Sequence, residues 1–188
     1  MPQIPEEFMA IFNTHMAFSQ QRIEFWLQHD LYSWQWYVLL AMLIIPYIIW
    51  WKLVDKKRLL PIVTMGLMVI STANWMDQVG TELGWWTYVH KTIPIFPQMI
   101  PVNYSMMPVG YMLVYQYFVP WRQYMIAMIV MTSIMTWIAE PVVTWMGIYY
   151  PISWKYSFSF PVYMAIAYTH KRIVDAIVTI SESQIRKQ

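Results

Sequence analysis

Residues 31–51 read LYSWQWYVLLAMLIIPYIIWW, and this stretch decides the fold class. It carries no charged residue and is long enough to cross the hydrocarbon core of a bilayer as a helix. Trp34 and Trp36 mark one end and Trp50 and Trp51 the other, matching the preference of indole rings for the two membrane interfaces. Pro46 lies inside the stretch. It cannot donate to the Met42 carbonyl, so a kink is expected there.

The rest of the chain follows the same pattern. Lys52, Asp55, Lys56, Lys57 and Arg58 form a charged turn, and a second span is expected over 59–78 with Pro61 in its first turn. A third covers 98–118, contains Pro101 and Pro108, and stops before Pro120. A fourth covers 122–146 and contains Glu140-Pro141. A fifth begins near Tyr156 and reaches at least Tyr168, short of His170-Lys171-Arg172, and continues through Ile173, Ala176 and Ile177 as an amphipathic tail. Residues 80–97 form an aromatic, turn-rich connector in which Gly80 and Gly84 read as turn glycines. Residues 5–29 alternate Phe8, Ile11, Phe12, Phe18 and Ile23 with Glu7, Gln20, Arg22 and Glu24. That stretch is too polar to span, and is expected to lie in the interface with its apolar face down. The expected fold is thus all-α: a polytopic transmembrane helical bundle of about five spans (31–172), an N-terminal amphipathic interfacial helix (1–30) and a cytoplasmic amphipathic tail (173–188).

Composition agrees with lipid as the solvent. The chain of 188 residues is 59% hydrophobic and 12% charged, about half the charge of a soluble domain. A net charge of +2 without any basic, aromatic-interleaved tract excludes nucleic acid as a partner. With no cysteine, disulfides, thiolate metal sites and cysteine nucleophiles are excluded. The 12 tryptophans and 17 methionines suit interfacial anchoring and gap-filling helix packing. Pro2, Glu6 and Glu7 stand where a signal peptide would be basic, and Pro2 stands where myristoylation needs glycine, so neither is expected.

Five spans place Lys52, Lys56, Lys57, Arg58, Arg122, Lys171, Arg172, Arg186 and Lys187 on one side and only Arg22, Lys91 and Lys155 on the other. The excess of positive charge on cytoplasmic loops then predicts a plasma-membrane protein with its N-terminus outside and its C-terminus in the cytoplasm.

Two acidic residues fall within expected spans, Asp77 and Glu140. At 1.5 Å per residue, Asp77 lies about 28 Å beyond Arg58 and Glu140 about 27 Å beyond Arg122, hence at one level near the outer boundary. Ser71, Asn74 and Gln78 share a helical face beside Asp77, while Ser133, Thr136, Glu140 and Thr144 recur at helical spacing. Polar stripes on spanning helices face protein or a water-filled cavity. An outward-facing polar pocket is expected, with Asp77 and Glu140 as its carboxylates. Asn74, Gln78, Thr136 and Thr144 would flank them, Glu82, His90, Gln98 and Asn103 would enter from the connector side, and Tyr104 and Tyr111 would form a wall. Such carboxylates can bind a cation, relay protons or hold a head group. They can equally join helices by bonding hydroxyl and indole N–H groups. No metal site, cofactor or catalytic constellation is expected, since the four histidines form no ligand pair and H-E-x-x-H, G-x-S-x-G and phosphate loops are absent. His90, beside Lys91, also fits a solvated loop histidine, and His170 is expected near the inner head groups.

Trp50-Trp51-Lys52, Asp55 to Pro61, Asp77-x-x-Gly80-x-x-x-Gly84-Trp85-x-x-Tyr88, Tyr111 to Tyr117 and Trp154-x-Tyr156-Ser157-Phe158 resemble a group of small multi-pass membrane proteins of spore-forming Gram-positive bacteria. The resemblance covers most of 45–165 and implies a helical membrane fold without a particular activity. The aspartate, the glycine-tryptophan stretch and the proline-rich entry to the next span are also similar to small lycopene cyclase subunits. Ile100-Pro101-Val102-Asn103-Tyr104 lacks their paired glutamates. What that likeness implies here is a pocket for an apolar or lipid-like molecule. Three classes follow: a binding or regulatory protein working with membrane lipids, as a homo-oligomer or as a subunit of a membrane complex; a small oligomeric channel or transporter; or a membrane enzyme acting on a lipid or isoprenoid.

Overall fold

A computed structural model describes residues 4–185. The expectation drawn from Pro2, the charges of Arg186 and Lys187 and the end of the tail lie outside the described residues. The fold is all-α and 80% helical. Its elements are α1 (Glu6–Phe25), α2 (Trp34–Leu53), α3 (Leu59–Glu82), β1 (Trp86–Tyr88), α4 (Met107–Tyr117), α5 (Trp121–Ile134), α6 (Glu140–Trp145), β2 (Tyr149–Pro151) and α7 (Tyr156–Ile185). Wide π-type turns over Trp26–Asp30, Val102–Met106 and Met135–Ala139 end α1, open α4 and join α5 to α6.

Three helical stretches are long and apolar enough to cross a membrane: Trp34–Leu53, Lys56–Glu82 and Trp121–Trp145. Two further expected spans, around α4 and in α7, are helical but more polar. α4 and its entry carry Asn103, Ser105, Gln116 and four tyrosines. The reason is positional: α4 packs on α3 and α5, α7 packs on α3 and α5, and α2 packs on the entry to α4. A helix enclosed by protein need not be apolar all round.

The core follows helical periodicity. Ile62, Met65, Gly66, Val69, Ala73, Asp77 and Gly80 form the buried face of α3 and meet Met107, Tyr111, Met112 and Tyr115 of α4. Gly66 lets the helices close up, because a Cβ there would stand 2.6 Å from Met112 Sδ. By contrast α2 exposes Ile44, Ile45, Ile48, Ile49 and Trp51. α2 runs unbroken through Pro46. Pro108 has no N–H for the Tyr104 carbonyl one turn earlier, and the Tyr47 hydroxyl donates to that carbonyl instead, at 2.5 Å.

One end of the bundle gathers the basic turns. Gln116 Nε2 donates to Leu53 O at 2.9 Å, and Gln116 Oε1 accepts from the Asp55 amide at 2.8 Å. Lys171 is buried, with its ammonium 4.9, 5.1 and 5.0 Å from the rings of Tyr115, Trp121 and Tyr124, and 3.0 Å from Asp175. Four partners in a water-poor setting compensate the buried charge. His170 is buried too. Its Nδ1 lies 2.7 Å from Ile166 O, leaving Nε2, in the neutral ring, to accept from the Thr72 hydroxyl at 3.0 Å.

The other end is capped by an antiparallel ribbon that pairs Trp86 with Pro151, Thr87 with Tyr150 and Tyr88 with Tyr149. Gly84 adopts the left-handed conformation (φ 66°) that turns α3 into β1. Gly80 is not a turn glycine. It lies in α3 under the Trp86 ring, where a Cβ would come within 2.1 Å of the indole. Close approach, rather than backbone reversal, requires glycine there.

Candidate functional site: a cavity beneath the ribbon

Asp77 occupies the buried face of α3, five residues before the helix ends, and four donors converge on it. Strand alternation puts Trp86 and Tyr88 on one face of β1. The Trp86 indole and the Tyr88 hydroxyl donate to Asp77 Oδ1 at 2.7 and 2.8 Å. On Oδ2, the Met99 amide donates at 2.8 Å and Asn103 Nδ2 at 2.6 Å. Met99 and Asn103 belong to the first turn of the helix that becomes α4, whose N-terminal amides favour a carboxylate. With about four acceptor positions on a carboxylate, Asp77 is saturated. It ties α3, β1 and the entry to α4 into one unit.

Glu140 follows a wide turn and precedes Pro141, which cannot donate to the Trp137 carbonyl. It is half-buried, and among the described residues its carboxylate accepts two hydrogen bonds, from Tyr163 Oη to Oε1 at 2.8 Å and from Ser159 Oγ to Oε2 at 3.1 Å. Ser159 and Tyr163 lie one turn apart on α7 and therefore share a face. Ser159 also accepts from the Trp154 indole at 2.9 Å. Trp154 in turn stacks on Trp85, centroids 5.6 Å apart, and meets Trp86 edge-on at 5.0 Å. The two carboxylates are thus joined through the ribbon's aromatic cluster.

Asp77 and Glu140 line one cavity of about 360 Å³ under the ribbon. Its walls are largely apolar: Leu39, Met42, Val79, Val102, Val143 and Val162, with Tyr149 and the three tryptophans toward the cap. Among the described residues, no lysine, arginine or histidine lines it. At the cap, burial, reinforced by the Asp77 charge, raises the Tyr88 phenol well above its ordinary pKa, so it stays a donor.

The other sequence candidates are distributed as follows. Asn103 lines the cavity and donates to Asp77, while Tyr111 is buried outside the lining and donates to Tyr163 O at 2.8 Å. Thr136 is buried with its hydroxyl unpartnered among the described residues. Thr144 donates to Glu140 O and accepts from Tyr156. Gln78, Glu82 and Gln98 form a separate chain, Gln98 Nε2 donating to Gln78 and Gln78 Nε2 to Glu82. Asn74 donates back to Ile70 O, and Tyr104 is exposed. His90 is not a solvated loop residue: its Nδ1 lies 2.6 Å from the buried Asp30.

Several residues of the site carried no clear sequence signal. Trp86 and Tyr88 look like ordinary connector aromatics, and Asp30 like a helix-end acid. Ser159 and Tyr163 were detectable only as polar groups four apart on a span. Among the described residues, no group of three or more His, Cys, Asp or Glu is placed to hold a metal ion.

No family model, curated protein or solved structure matches this chain. The fold and cavity therefore define it only as an all-α protein with three helices able to cross a membrane and a largely apolar cavity lined by two carboxylates.

Proposed function

We propose that this protein is an integral membrane binding protein whose cavity takes an apolar molecule with a small cationic or hydrogen-bond-donating head group, received by Glu140. One observation carries the reading. Among the described residues, the largely apolar cavity has no basic residue, Asp77 has its four donors, and Glu140 has two and keeps acceptor capacity. A cavity near 360 Å³ falls in the range of small-molecule sites, about 300–1,000 Å³. The aromatic rings that line it, Trp85, Trp86, Tyr149 and Trp154 among them, favour an organic cation. A saturated Asp77 is poorly suited to be the second member of an acid–base pair, which favours binding over catalysis.

In this reading the helix containing α4 and the first half of α7 also cross the bilayer, making five crossings. The basic turns then face the cytoplasm, the ribbon faces outward in the plasma membrane, and α1 lies in the outer interface. Membrane lipids, further copies of the chain or a membrane complex are the partners this arrangement fits. A transporter is the second reading, favoured by the wide turn at Val102–Met106, whose Val102 and Asn103 line the cavity, and by the one at Met135–Ala139 that leads into Glu140.

Native mass spectrometry of the full chain released from mild detergent tests the proposal. A stoichiometric small molecule retained by the wild type and lost from Glu140→Gln is the expected result. Equal retention by both proteins would overturn the role of Glu140. Glu140-dependent uptake into proteoliposomes would select the transporter.

A further inference from the structure

A second cleft, of about 540 Å³, opens between the end of α1 and the connector. Two cations converge on it from elements far apart in sequence. Arg22, in the last turn of α1, donates through Nη2 to Ile95 O at 3.2 Å. Lys91 donates to Phe96 O and Pro97 O, both at 3.2 Å. Three successive carbonyls thus hold the two cations side by side. Among the described residues, neither has a carboxylate within 4.0 Å.

The acids bordering the cleft are engaged elsewhere. Asp30 Oδ1 lies 2.6 Å from His90 Nδ1, and Oδ2 accepts from the Lys91 amide at 3.0 Å. Glu82 accepts from Gln78 Nε2 at 2.9 Å. Donors remain unspent: Arg22 Nε is buried with no partner among the described residues, most of the guanidinium N–H groups are free, and so is one ammonium proton of Lys91. Burial above all, with the Arg22 charge adding to it and Asp77 and Asp30 opposing it, lowers the Lys91 ammonium to about 8.

We propose that this cleft binds a phosphoryl group, held jointly by Arg22 and Lys91. A guanidinium fork and an ammonium offer more donors than a carboxylate can accept, and a tetrahedral phosphoryl group uses them from several directions. Two sources carry that chemistry, a phospholipid head group and free phosphate. The setting favours the lipid. α1 buries none of its residues and exposes Phe8, Phe12, Phe18 and Phe25, a surface suited to acyl chains beside the head-group plane.

The test uses the full chain in detergent, titrated with short-chain phosphatidylglycerol, with a diacylglycerol of the same chains, and with inorganic phosphate. The phosphatidylglycerol is expected to bind and the diacylglycerol not. Arg22→Gln with Lys91→Gln should weaken phosphatidylglycerol by about tenfold or more, as the loss of two charge-assisted contacts implies. Arg22→Lys with Lys91→Arg should retain it, and Lys155→Gln should leave it unchanged. Inorganic phosphate binding with the same variant dependence would assign the site to the free anion. Unchanged affinity for both phosphates in the charge-neutral variant, with its melting transition intact, would overturn the site. So would equal binding of the diacylglycerol.

Discussion

The Tyr163 hydroxyl donates to Glu140 Oε1 at 2.8 Å, so α7 holds the carboxylate that follows the wide turn between α5 and α6. A charge-assisted hydrogen bond of this kind contributes about 1.5–3 kcal/mol. Tyr163→Phe should therefore lower unfolding stability in detergent by about that amount. Combined with Glu140→Gln, the two changes should be non-additive by about 1 kcal/mol or more, because each removes the same contact. Thermal or denaturant unfolding of the four proteins in the cycle measures this coupling. Strict additivity would detach Tyr163 from Glu140.

Asp77→Asn should be far more damaging than Glu140→Gln. An amide oxygen can still accept from one pair of donors, but the NH₂ group would point at the other pair. Whichever way the amide turns, either Trp86 and Tyr88 or Met99 and Asn103 lose their acceptor. Stranded buried donors cost about 1–3 kcal/mol each. The expected outcome is a melting transition many degrees lower and proteolytic opening of the ribbon, read by mass spectrometry of early cleavage products.

Gly80→Ala should destabilise by about 1–3 kcal/mol through overpacking. The obstacle is the Trp86 indole, fixed by Asp77 on one side and Trp154 on the other. Gly110→Ala is the matched control: its Cβ would meet the flexible end of Met131 at 3.0 Å, and the cost should be smaller. Comparing the two unfolding midpoints distinguishes ring packing from the general effect of losing a helical glycine.

Lys91 should produce a distinctive pH dependence. Its pKa in the folded protein is about 8, against an ordinary value of 10.5. Between those values the unfolded chain binds the proton that the folded chain has released, so stability rises with pH. Below pH 8 both states are protonated and the buried ammonium keeps its full penalty. Melting temperature should therefore climb from pH 8 to 9.5, a window below the ordinary ionisation of tyrosine, and Lys91→Met should flatten the slope. A wild-type slope of the opposite sign would contradict the burial of this ammonium.

The sequence by itself determined where helices form and which of them are apolar enough to cross a membrane. Charge-free apolar runs bounded by tryptophan and by basic turns set the helix boundaries within a few residues: 31–51 became Trp34–Leu53, and 122–146 became α5 through α6. It also singled out Asp77 and Glu140, because a carboxylate inside an apolar run is costly wherever it lies. What it could not decide was how the two differ. That depends on donors supplied from distant positions: by β1 and the entry to α4 for Asp77, and by α7 for Glu140. The role of Gly80, the burial of Lys171 among aromatic rings and the pairing of His90 with Asp30 are of the same kind. Periodicity reports which face of a helix is buried, whereas saturation of a buried polar group is a property of the neighbours that tertiary packing brings to it.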